Sequence, residues 1–153
     1  MKLNLGSGQD KSIDGYTNID NKFGLSVYPL DYEDDTIDEI RASHILEHFS
    51  HRQTLAVLRE WNRVIKLGGI IKISVPDFTK LIHEFIEHPM LEGYIFGGQV
   101  DEYDFHYAMF TEEKLINLLH MAGFHKFTKW ESEIDDCASF TLSLNIQAVK
   151  RYE

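Results

Sequence analysis

Residues 3–8 read LNLGSG, and residues 15–20 read GYTNID. Leu3-Asn4-Leu5 and Tyr16-Thr17-Asn18-Ile19 each have the pattern of a short strand, the second following the turn signal Asp14-Gly15. The first strand ends on Gly6, Ser7 and Gly8, where missing side chains let a ligand approach the backbone. The second is closed by Asp20, whose carboxylate can accept hydrogen bonds from both hydroxyls of a ribose. A G-x-G run alone is an ordinary turn. Together with Asp20 it predicts a nucleoside-binding crevice above the first strand.

The rest of the chain supplies a sheet to hold that crevice. A weak third strand is expected at residues 25–28, stopped by Pro29, and another at 38–43. Ser50 with Gln53 reads as a capping box, and Gly68-Gly69 as the stop of the helix between them. Its apolar stripe is Leu55, Leu58, Trp61, Val64 and Ile65. Residues 70–75 (IIKISV) form the strongest strand pattern, apolar enough for a strand covered on both faces. A helix over 78–88 is expected to turn Leu81, Ile82, Phe85 and Ile86 inward. Residues 90–110 show no period, a length of loop that usually carries function. A helix from Thr111 to Gly123 and two extended runs, 124–130 and 140–149, close the chain. This order predicts one α/β domain over residues 1–153: a doubly wound, Rossmann-like, mostly parallel sheet with an antiparallel C-terminal pair.

Composition narrows the function. With 153 residues and 43% apolar content the chain can bury a core of its own. A formal charge of -10 without a basic patch argues against nucleic acid and anionic membrane as partners. No apolar run approaches the roughly 20 residues of a membrane span, so a cytoplasmic protein is expected. Cys137 is the single cysteine and has acidic neighbours, Asp135 and Asp136; it is expected to be inert.

The nucleoside is not a dinucleotide by this reading. That fold wants a third glycine where Lys11 stands, and a full helix between the first two strands to receive pyrophosphate. The gap from Gly8 to Asp20 leaves room for a turn or so. S-adenosylmethionine (SAM) carries ribose and adenine without phosphate and tolerates the reduction.

The run LNLGSG … GYTNID … YPLDYEDDTIDEIRASHILEHFSHRQTLAVLREWNRVIKLGGIIKISVPDF resembles the class I SAM-dependent methyltransferases, in the small branch labelled methyltransferase type 11. The likeness covers the first half of the chain well, and LLHMAGF with the final strand pair suits the same fold. It implies that Gly6, Ser7 and Gly8 line the methionine and ribose side, that Asp20 holds the ribose, and that Ser43 and His44 face the cofactor. Three departures stand out. Asn4 occupies a position that is often acidic in the family. The helices before the first strand and most of the first crossover helix are lacking. No aspartate sits where the family reads the adenine amino group, with Asp31 and Tyr32 as substitutes. The shortened side is expected to leave part of a sheet face for a homodimer partner or substrate to cover.

Residues 44–48, HILEH, also have the H-x-x-E-H spacing of one class of zinc peptidases. Such a site needs His44 and His48 one turn apart on a continuous helix, Glu47 to activate water, and a third ligand. The motif follows a strand directly, and Ser50 starts a new helix just beyond it. His51, His83 or Glu84 would have to be the third ligand. The preferred expectation is therefore no metal, with His44 beside the cofactor and a zinc-dependent hydrolase kept as the lesser alternative.

Methyl transfer from a sulfonium is a displacement whose leaving group becomes neutral, so positioning supplies much of the acceleration. A hydroxyl or ammonium acceptor must also lose a proton. His106, within DEYDFHYAMF (residues 101–110), is the first choice of general base, supported by Tyr103 and Asp104. His106 and His44 are the catalytic candidates. The reading is a SAM-dependent methyltransferase for a small-molecule acceptor, glycan-related by resemblance, with a catalytically inactive SAM-binding module as alternative.

Overall fold

The computed structural model describes residues 1–8 and 12–152. Lys11, which stands at the third-glycine position, lies outside them, as does part of the first crossover. Six strands form one sheet: β1 (Lys2–Leu5), β2 (Tyr16–Ile19), β3 (Ile37–Ser43), β4 (Ile65–Pro76), β5 (Phe124–Lys129) and β6 (Ser143–Lys150). Their order is β2-β1-β3-β4-β6-β5. The first four run parallel, and β6 lies antiparallel to both β4 and β5. Strand order reverses at β1, between β2 and β3, so the ends of β1 and β3 open a crevice between them. The mixed sheet with its antiparallel C-terminal pair is as expected. No strand forms at 25–28. Val27 is instead buried and its carbonyl accepts a 2.9 Å hydrogen bond from the Trp61 indole.

Register sorts the two sheet faces. Leu3, Ile40, Ile71 and Ala148 are lateral neighbours on one face, as are Leu5, Ala42, Ile73 and Ile146. All eight are fully or almost fully buried in the same cluster as Val57, Leu58, Trp61 and Val64 of helix α1 (Thr54–Val64) and Leu115 and Leu119 of helix α4 (Glu112–Met121). The period of two then puts Lys2, Asn4, Glu39, Arg41 and Lys72 on the other face.

That face is polar and internally paired. Glu39 accepts from the Tyr16 hydroxyl and lies 3.1 Å from Lys2 Nζ and 3.0 Å from Lys72 Nζ. Burial alone would raise the Glu39 carboxyl, but these donors outweigh it and hold it below its ordinary value. Asn4 bonds Asn18, and its carbonyl accepts from Arg41. The Arg41 guanidinium reaches Asp136 at 2.5 Å, both side chains being 5% exposed, and lies 5.4 Å from the Trp130 ring centroid. The chain's own residues 130–136 thus cover, with charge pairing, part of the sheet face that was expected to be left for a homodimer partner or substrate. Likewise β4 is not apolar on both faces: Lys72 breaks it.

Helix ends differ from the sequence reading for local reasons. The Ser50–Gln53 capping box does not form. The chain turns through residues 51–53, Gln53 N–H donating to the Ser50 carbonyl at 2.7 Å, and α1 starts at Thr54. It stops at Val64 rather than at Gly68 because the backbone N–H groups of Asp35 and Thr36 take the carbonyls of Arg63 and Val64. Residues 66–69 instead bulge between the Ile37–Ile65 and Glu39–Ile70 pairs, with Gly68 at φ +76°. Helix α2 (Phe78–Glu84), capped by Asp77, ends a turn early. Leu81 is buried, while Ile82 and Ile86 stay exposed. The aperiodic stretch holds a short helix, α3 (Leu91–Phe96). Thr111 caps α4 as expected, its hydroxyl accepting from Lys114 N–H. Among the described residues no helix is long and apolar enough to cross a membrane.

The turn after β1 requires glycine. Gly6 has φ +67°, its N–H donates to Ile19 O at 2.8 Å, and a Cβ there would lie 2.9 Å from Ile45 Cβ. Gly8 has φ +60° but open space where a Cβ would stand.

Two outcomes follow from these contacts. Asp136→Ala strands the buried Arg41 charge and should cost about 3–5 kcal/mol in urea unfolding, whereas Asp34→Ala, at an exposed pair with Arg63, should cost under about 1 kcal/mol. Gly6→Ala combines backbone strain with a clash and should destabilise by about 2–4 kcal/mol. Gly8→Ala should cost only the strain, about 1–2 kcal/mol, as read by the same unfolding curves.

Candidate functional site

At the carboxyl ends of β1, β2 and β3 lies a crevice of about 250 Å³ whose lining includes Gly6, Gly8, Asp20, His44 and His48. Asp20 is fixed at its floor. One carboxylate oxygen accepts from Gly8 N–H at 2.8 Å, and the other accepts from Lys22 N–H at 2.9 Å, capping a single 3-10 turn over Asn21–Phe23. The two halves of the sequence signature therefore meet directly.

Ser7 and Ser43 do not line this crevice. Ser7 is 3% exposed, with its hydroxyl on Gly8 O at 3.3 Å. The Ser43 hydroxyl is buried and directed to the Asp136 carboxylate. Asp31 and Tyr32 are not lining residues either; Asn21 and Lys22, just past Asp20, are. Their signal was their place one and two residues beyond Asp20. Glu102, Tyr103 and Asp104 reach the crevice from the opposite lip, and Lys22 Nζ bridges to Asp101 on that lip at 2.7 Å.

His44 occupies the turn after β3 with φ +50°, a left-handed conformation that non-glycine residues hold mainly at constrained sites. Its Nε2 lies 2.7 Å from the Ser143 hydroxyl and its Nδ1 lies 3.1 Å from Glu47 Oε1. Leu46–His48 forms only one 3-10 turn, so HILEH is not on a continuous helix. Glu47 is completely buried. Burial pushes its carboxyl up, but the neighbouring His44, His48 and His106 outweigh this and hold it below its ordinary value.

The same glutamate anchors the later loop through its backbone. Its carbonyl accepts from Tyr107 N–H at 2.8 Å and Ala108 N–H at 3.3 Å, while His51 N–H donates to Tyr107 O. Gly97 allows the loop to fold tightly, since a Cβ there would lie 2.1 Å from Asp104 O. His106 is thereby brought edge-on to His48, ring centroids 4.9 Å apart. Burial pushes the His106 imidazole down, more than Glu47 raises it, which favours the neutral ring. On its far side His106 borders an open recess of about 500 Å³ lined by Phe78, Ile95, Phe96 and Met109. His48 and His106 stand between the crevice and this apolar recess.

No protein-family model matches the sequence, and no curated protein matches it. Solved structures do match the fold. A SAM-dependent methyltransferase from Methanosarcina mazei aligns at TM-score 0.63 and 18% identity, covering 99% of this chain and 92% of its own. One from Archaeoglobus fulgidus aligns at 0.64 and 18%, covering 97% and 85%. A complex between the Haloferax volcanii Trm112 methyltransferase activator and a methyltransferase matches at 0.62 and 14%, covering 99% and 82%. With its strand order and the crevice at the order reversal, the chain has the fold of the class I SAM-dependent methyltransferases.

Proposed function

We propose that this chain binds SAM in the crevice and transfers its methyl group to a small-molecule acceptor held in the neighbouring apolar recess. The observation that carries the reading is the Gly8–Asp20 contact: a carboxylate locked beside open backbone at the point where strand order reverses. Asp20 then accepts from the ribose diol, and Gly6 and Gly8 let the methionine side approach the turn. Asp20, Glu102 and Asp104 give the crevice an acidic field that suits a sulfonium cation. His44 stands at the cofactor side, and His106 stands at the acceptor side.

Displacement forms the bond from acceptor to methyl carbon while the carbon–sulfur pair returns to sulfur, so the chief requirement is alignment. The recess beyond His106 is wide and apolar, which supports an acceptor with an apolar body and one nucleophilic group. The acidic surface gives no support to a nucleic-acid acceptor. The Haloferax volcanii complex with an activator is a precedent for a protein partner on this fold, and a homodimer is the other association compatible with the reading.

Calorimetric titration with SAM and with its demethylated product checks the crevice. Wild type should bind both, and Asp20→Ala should bind at least tenfold more weakly, about 1.4 kcal/mol. Because Asp20 also caps the following turn, Asp20→Asn serves as the second variant, since it retains an acceptor for Lys22 N–H. Absence of wild-type binding, or wild-type affinity in both variants, would overturn the reading. Transfer of labelled methyl to apolar alcohols and amines separates an enzyme from a module that only binds SAM.

A further inference from the structure

We infer that Glu47, His48 and His106 form a binding site for one first-row divalent cation, placed between the cofactor crevice and the apolar recess. Each of the three side chains offers a ligand atom, and these atoms lie within 4.8 Å of one another. A cation holding them at about 2.0–2.2 Å requires them to close in by roughly an ångström or less, within reach of small side-chain rotations.

The carboxylate is the first independent observation. Glu47 is completely buried; His44 Nδ1 meets its Oε1 at 3.1 Å, and Oε2 has no hydrogen-bond partner among the described residues. A buried carboxylate is costly unless it is paired or coordinates a metal, and a cation beside Oε2 would supply what the protein does not.

The histidines are the second. His48 Nδ1 lies 3.0 Å from the carbonyl of Phe105, and His106 Nδ1 lies 3.1 Å from that of Tyr94. A carbonyl only accepts, so in both rings Nδ1 carries the proton and donates it. In the neutral ring Nε2 is then left with its lone pair. A backbone carbonyl fixing the far nitrogen is the usual support of a metal-bound imidazole. Two imidazoles and one carboxylate suit Zn²⁺, Mn²⁺, Fe²⁺ or Co²⁺ rather than Mg²⁺ or Ca²⁺, which prefer oxygen ligands.

This set differs from the one the H-x-x-E-H spacing suggests. His44 is not a ligand here: its two nitrogens face Ser143 and Glu47. The third ligand comes from the loop, and is none of His51, His83 or Glu84.

The chemical role rests on the methyl-transfer reading. A hydroxyl of the acceptor binding an open position of the cation has its pKa lowered and loses its proton to solvent. Its oxygen then attacks the methyl carbon, the carbon–oxygen bond forms, and the carbon–sulfur pair stays with sulfur. His106 acts as ligand in place of the general base read from the sequence.

The test titrates chelator-treated full-length protein with Zn²⁺ by calorimetry and with Co²⁺ by visible absorption. Wild type should take up one equivalent and show a Co²⁺ d–d band. His106→Asn and Glu47→Gln should each weaken Zn²⁺ binding at least tenfold and lose the band, whereas His83→Asn, at an exposed histidine, should change neither. Glu47 is buried, so thermal melting accompanies each titration, and the partly exposed His106→Asn carries the test if Glu47→Gln fails to fold. Absence of saturable binding in wild type, or wild-type affinity in His106→Asn, would overturn the site. Asp20→Ala should bind Zn²⁺ like wild type, so a failed SAM titration with intact Zn²⁺ uptake removes the methyl-transfer reading alone.

Discussion

A sheet whose apolar face is fully used by helices must satisfy its other face by different means. In this chain the solution is charge pairing. Glu39 sits between two lysines and a phenol, and Arg41 is held by Asp136 and by Asn4. A buried ion pair contributes little net stability, but it cannot lose one partner without large cost. The pair therefore fixes where residues 130–136 must lie, and with them the turn that leads into β6. Ser143, which meets His44, starts that strand.

From there the site is organised around Glu47. Its carboxylate lies beside His44, while its backbone carbonyl holds Tyr107 and Ala108. One residue thus couples the turn after β3 to a loop distant in sequence. Shifting that turn would move His48 and His106 together, which keeps their edge-to-face contact intact. The left-handed backbone at His44 belongs to the same constraint: it directs the imidazole toward β6 and leaves Glu47 underneath.

Much of this was legible in residue order. Gly6, Gly8 and Asp20 could be placed together because parallel strands put their carboxyl ends on one side, so two strand ends imply one crevice. Alternation in Glu39-Ile40-Arg41-Ala42 also carried the polar face, though the apolar look of 70–75 obscured it. Lys72 was the informative residue there. Helix boundaries were harder, since α1 ends where the incoming β3 segment takes its carbonyls, a tertiary effect with no local signal. The meeting of His106 with Glu47 and His48 was not legible for a related reason. It is created by two backbone donors on a glycine-permitted loop, and no spacing in the sequence encodes it.

Lys22 and Asp101 face each other across the opening of the crevice, each a little over two-fifths exposed. Two long, hydrated side chains make a weak tether, and mobile ions in solution compete with it directly. Raised ionic strength weakens a contact of this kind, while the buried pairs beneath the sheet scarcely respond.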